Sequence, residues 1–158
     1  MSSFGGIVTQ VQGVTYRFSS KHLEALDRLL RQLHSQRFAP SLAFVRKTLI
    51  ENEGAIIYFV EEGGEFVGTV TLTHHHTLLG HIATAHDLVV DQDHRKKGYG
   101  RMLMTRLIEG AERLEVEYLE FNFGPYRMPT HMLFKDLGFR RTSTFGFRLD
   151  FPRPPQNS

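Results

Sequence analysis

The chain has 158 residues, 41% of them hydrophobic, and is expected to fold as one domain over residues 1–151 around one core, with an extended or disordered tail over 152–158. Nineteen Lys and Arg against 17 Asp and Glu leave a formal charge of only +2, a balance that argues against a nucleic-acid binder. The absence of cysteine excludes disulfides, thiolate metal sites and a cysteine nucleophile, and no basic-then-apolar leader or run of ~20 apolar residues is present, so a cytoplasmic protein without a membrane span is expected.

Val14-Thr15-Tyr16-Arg17-Phe18 alternates apolar and polar side chains as a half-buried strand does, and Ser19-Ser20 then offers a helix cap. Leu23, Leu26, Leu30 and Leu33 recur at helical spacing and predict an amphipathic helix ending near His34. Pro40 and Ser41 open a shorter helix through Leu42, Val45 and Leu49, which Asn52 and Gly54 stop. Ile56–Val60 and Phe66–Leu72, separated by Gly63-Gly64, read as a hairpin. A turn near Leu79-Gly80 leads to a third strand, His81 to Val90.

After a loop over 91–97, a helix is expected to run to about Leu114, with Leu103, Leu107, Ile108 and Ala111 on one face. Next come a strand from Tyr118 to Phe123, a short helix from about Thr130 to Leu137 ended by Gly138, and strand material from Phe139 to Phe151. The order is that of a mixed α/β domain.

The stretch Leu88-Val89-Val90 followed by Arg95-Lys96-Lys97-Gly98-Tyr99-Gly100-Arg101 joins a buried strand to a helix start through a basic, glycine-containing loop. Gly98 and Gly100 clear side chains from the backbone, the first-turn N–H groups point outward, and the helix dipole favours negative charge. Lys and Arg reach flanking phosphates, Arg in bidentate fashion, so a pyrophosphate-bearing cofactor fits better than a carboxylate metabolite. The dinucleotide fingerprint fails because Leu103 stands where its third glycine belongs, and the Walker loop fails because Arg101-Met102 follows Gly100.

Arg95-x-x-Gly98-x-Gly100 resembles the R/Q-x-x-G-x-G/A signature of the GNAT superfamily of acyl-CoA-dependent N-acyltransferases. Leu119-Glu120-Phe121-Asn122 is similar to that family's fifth strand, and Leu133–Phe139 resembles its Leu-Tyr-Glu-Lys-Leu-Gly-Phe ending. The resemblance covers Phe59 to Phe139. It implies a twisted mixed, mainly antiparallel sheet flanked by about four helices, with the fourth and fifth strands splayed around the pantetheine arm. It further implies acetyl-CoA as co-substrate, bound by the backbone of Leu88, Val89 and Val90 and by the loop from Arg95 to Arg101. Arg127 and Phe134 stand where the family has Asn and Tyr. An amine acceptor and a homodimer are the partners it implies, with no membrane and no metal.

Direct transfer needs a base to free the amine and a group that protonates or stabilises the departing thiolate. His86, Asp87 and Glu120 are the candidate bases, and strand alternation sends His86 and Asp87 to opposite faces. An imidazole ordinarily titrates near ~6.5 while a carboxylate would need a large upward shift, which favours His86. Since Phe134 replaces the tyrosine often proposed as acid, Tyr126, His131 or water are the candidates for that role. His74, His75, His76 and His81 flank a turn, but without a nearby carboxylate or cysteine they are read as a polar hairpin rather than a metal site. Two rival readings are a non-catalytic acyl-CoA-binding regulatory module and a basic nucleic-acid-binding domain using Lys96, Lys97, Arg140 and Arg141.

Overall fold

The computed structural model describes residues 5–11, 19–33, 41–50, 53–122, 128–144 and 146–152. They fall in two compact units, Met1–Pro125 and Tyr126–Ser158. In the first, strand β1 (Ile7–Val11) is followed by helices α1 (Ser20–Leu33) and α2 (Leu42–Ile50). Three long strands come next, β2 (Ala55–Glu62), β3 (Glu65–Thr77) and β4 (Gly80–Val90), and then α3 (Tyr99–Arg113) and β5 (Tyr118–Phe121). The sheet order is β1-β2-β3-β4-β5, antiparallel except for the parallel β4–β5 pair. This is the mixed, mainly antiparallel sheet that the family resemblance implies.

Local signals set most boundaries. The Ser19 hydroxyl accepts from His22 N at 3.3 Å while Ser19 N donates back to the His22 ring at 3.3 Å, a reciprocal cap at the start of α1. Ser41 caps α2 through Phe44 N at 3.1 Å. Gly63 and Gly64 both take positive φ, 61° and 80°, as the two-residue turn between β2 and β3 requires.

The side chains of β2 divide the core in two. Ile57 and Phe59, with Phe66 of β3, pack against Ala25 and Leu26 of α1 and Val45 of α2. The alternate residues Tyr58 and Val60 face α3, which buries Leu103, Met104, Leu107 and Ala111. Contact with α3 is close enough that a Cβ at Gly68 would lie 3.2 Å from Leu103 and 2.9 Å from Val60.

Two expectations change, and one falls outside the described residues. The Val14–Phe18 strand lies outside the described residues, and the strand that pairs with β2 is Ile7–Val11. In the second unit, α4 spans Met128–Asp136 and ends at Gly138 with φ 87°, close to expectation, but no strand occurs among the described residues of 139–152. The alternation there is real, yet Phe147, Leu149 and Phe151 are 99%, 77% and 78% exposed; a strand requires a neighbouring ladder as well as a pattern. Finally, β4 contains an extra residue: Thr71 pairs with His86 but Thr69 with Val89, and Asp87 adopts φ 55°. Strict alternation therefore stops at His86, because a bulge with a left-handed residue re-aims the side chains beyond it.

Candidate active site

The loop from Asp91 to Gly98 is built by two carboxylates. Asp91, 5% exposed, accepts from Asp93 N at 3.1 Å and from Arg28 Nε at 2.9 Å, while its own N–H donates to Val67 O at 2.8 Å. Burial pushes its carboxyl upward, but the Asp93 amide and the Arg28 guanidinium outweigh this and hold it below the ordinary 3.8. Glu62, at the end of β2, receives Lys97 Nζ on both oxygens at 3.2 Å and lies 3.3 Å from His94 Nε2. Lys97 above all holds Glu62 below its ordinary 4.5; burial opposes, and the Tyr99 hydroxyl and His94 add to the lowering.

Between these anchors the backbone turns through Lys96 at φ 63° and Gly98 at φ 84°. Gly98 is the residue before the first turn of α3 and supplies no side-chain hydrogen bond to it; the amides of a helix start point outward and suit an anion. Arg95 and Lys96 are exposed. Arg95 Nε donates to Val90 O at 3.0 Å, and its Nη2 lies 3.5 Å from Gln32 Oε1. The Tyr99 side chain is buried against the residue before β1, where a Cβ at Gly6 would sit 2.6 Å from its ring; burial, with the Glu62 carboxylate beside it, pushes its hydroxyl pKa up. Among the predicted loop residues, Lys97 and Tyr99 thus spend their side chains on the scaffold, Arg95 spends part of its guanidinium there, and Arg95 and Lys96 remain exposed.

The β5 ladder ends where Phe121 meets Ala85, whereas β4 continues to Val90. On the α1 and α2 side of the sheet, register places Thr71 opposite His86, Thr73 opposite Thr84, and Thr84 opposite Glu120. Partners in register share a face, so His86 and Glu120 belong to one polar patch. The exposed His86 ring holds the Thr73 hydroxyl at 2.8 Å through Nε2. Asp87 occupies the bulge and is half-buried; a non-glycine residue in the left-handed region costs roughly 1–2 kcal/mol and such strain gathers at functional sites.

His74, His76 and His81 share the opposite face. His74 Nδ1 and His81 Nε2 are 2.9 Å apart, and His76 stacks on His81 with centroids 4.1 Å apart and planes at 10°. No group of three or more His, Asp or Glu among the described residues is arranged to hold a metal ion. No helix among them is long and apolar enough to cross a membrane.

Tyr126 and Arg127 lie outside the described residues. His131 and Phe134 belong to α4 of the second unit, where His131 is half-buried and Phe134 is buried edge-on against Phe139 at 4.9 Å. Sequence reasoning missed Gln32, Glu62, Thr73 and Asp91. Only Asp91 carries a local signal, an Asp two residues before an N–H it caps; the others act across 13 to 63 positions.

The comparisons with known proteins bear on the fold and the family. No curated protein sequence matches the chain. Among solved structures, a transcriptional regulator from Bacillus halodurans C-125 aligns with TM-score 0.75 at 19% identity, over 92% of this chain and 100% of that one. A ribosomal-protein-alanine N-acetyltransferase from Brucella melitensis biovar Abortus 2308 gives 0.70 at 16% identity, over 93% and 99%. A glucosamine-6-phosphate N-acetyltransferase from Arabidopsis thaliana gives 0.71 at 14%, over 91% and 97%. At such identities the likeness speaks for the fold. The sequence itself matches the Acetyltransferase (GNAT) family profile over residues 23–139, a span that takes in both core helices, the basic loop and the polar strand face, and the chain belongs to that family.

Proposed function

We propose that the chain transfers an acetyl group from acetyl-CoA to a primary amine by direct attack in a ternary complex. The observation that carries the reading is the uncapped start of α3 behind left-handed Gly98, with Arg95 and Lys96 exposed beside it. Backbone amides and cations there suit a pyrophosphate. Leu88, Val89 and Val90 lie beyond the end of the β5 ladder, and their backbone would hold the pantetheine arm. Gly100 and Arg101 complete the loop, and the family resemblance adds Arg127 and Phe134 as cofactor-binding candidates.

The acceptor side is the polar patch of Thr71, Thr73, Thr84, His86 and Glu120. His86 takes the amine proton, with Asp87 and Glu120 as the other candidate bases, and Tyr126, His131 or water protonates the thiolate. Neighbours in fold are named for a ribosomal-protein alanine and for glucosamine 6-phosphate, so one fold serves unlike acceptors, and ours is proposed no more finely than a primary amine. A cytoplasmic homodimer completes the proposal.

The test is calorimetric titration of acetyl-CoA into wild type and Gly100→Glu, followed by a thiol-release assay against small and peptidyl amines. Micromolar binding that the folded variant loses by at least about tenfold is expected, since a carboxylate beside the phosphates repels them. Binding with no thiol release over any amine would favour a regulatory module, and no binding to folded wild type would remove the acyl-CoA assignment.

A further inference from the structure

The last two turns of α1 face the anion loop with two polar side chains four residues apart, which places them on one stripe of the helix. Arg28 holds Asp91, as described, and its Nη2 reaches Phe66 O at 3.4 Å. Gln32, one turn on, offers a single carboxamide oxygen to two donors of the loop, Gln92 N at 3.0 Å and Arg95 Nη2 at 3.5 Å. Asp91 thus pins the entry of the short helical turn Gln92–His94, and Gln32 pins its first amide together with the guanidinium just beyond it. Arg95 is gripped from two sides, by Val90 O through Nε and by Gln32 through Nη2. A guanidinium has five N–H donors in a fixed plane, so fixing two of them sets the direction in which the rest point.

We infer that Gln32 is a positioning residue of the acyl-CoA site, acting through Arg95, whose guanidinium it orients so that the loop is preformed for the cofactor phosphates. The inference rests on assigning that loop to acyl-CoA. It adds a residue from outside the signature motif, on the helix that also forms one wall of the core with Leu26 and Phe66. Preorganisation of this kind contributes to affinity by removing an ordering cost rather than by a new contact.

The experiment is a double-mutant cycle on coenzyme A affinity, read by calorimetry. Gln32→Met keeps the length and helix preference of the side chain and removes the acceptor oxygen. The expected result is a Kd for coenzyme A raised about tenfold, the size of one charge-assisted hydrogen bond, with a thermal midpoint within about 2 °C of wild type. In an Arg95→Ala background, the same Gln32→Met change should alter Kd less than about threefold, because residues acting through one another are not additive. Unchanged affinity in Gln32→Met, or an undiminished tenfold loss without Arg95, overturns the inference while leaving the cofactor site standing. Failure of wild type to bind coenzyme A overturns the site assignment, and the inference with it.

Discussion

At the scale of single residues, Gly110 of α3 leaves room for the Tyr58 side chain of β2. A Cβ there would overlap the Tyr58 hydroxyl, while the next nearest atoms are Tyr58 Cζ at 3.2 Å and Leu72 Cδ2 at 3.6 Å. Tyr58 is 1% exposed and has no room to swing away. Gly110→Ala, normally favourable in a helix, is therefore expected to destabilise by about 1–3 kcal/mol. Tyr58→Phe removes the obstructing oxygen, so in that background the cost should fall by at least half; denaturant unfolding of the four proteins checks this.

Asp91 gives a second residue-scale expectation. Its carboxyl titrates lower folded than unfolded, so the stabilisation is complete above the unfolded value near ~4 and is lost as pH falls through the folded one. Arg28 is 45% exposed, and solvent screens the pair. Asp91→Asn should cost about 1–2 kcal/mol at neutral pH. Its unfolding curve should converge on that of wild type as acid protonates the folded carboxyl.

At the scale of elements, the β3–β4 hairpin runs on past its pairing with β2 and carries four histidines near its end. Burial first, and then His81, His76 and His75, lower the His74 pKa from its ordinary 6.5. Folded and unfolded states then differ in protonation just below that value, so stability is full above about 6.5 and declines as pH falls through the folded pKa. The thermal midpoint should drop between about pH 7.5 and about pH 5, and His74→Gln should flatten that dependence.

How much of each element was legible depended on the range of its cause. The limits of α1, α2 and α3 are set by Ser19, Ser41 and Gly98, whose effects act within a turn of the chain, and they could be read directly. The bulge at Asp87 could not, since aspartate tolerates a left-handed backbone without requiring one and the extra residue exists only relative to β3. Likewise, Ile7–Val11 is a strand because β2 offers it an edge, although Gly6 and Gln10 dilute its pattern. The basic loop announced its charge, yet the roles of Lys97 and Arg95 were fixed by Glu62 and Gln32, remote in sequence and invisible to any local rule.

At the scale of the first unit as a whole, the spatial order of the strands repeats their order in the chain. The two helical excursions differ in consequence. The segment 12–54 separates antiparallel neighbours and covers one face with α1 and α2, while α3 carries the chain across the other face to make β5 parallel to β4. A crossover of that kind is nearly always right-handed, which leaves little choice of topology. Among the described residues, no strand has to be inserted between two that are already paired. During synthesis, at roughly 5–20 residues per second, β2, β3, β4 and β5 each emerge after the neighbour they will pair with, so the sheet can grow outward from a single edge in the order in which the ribosome delivers it.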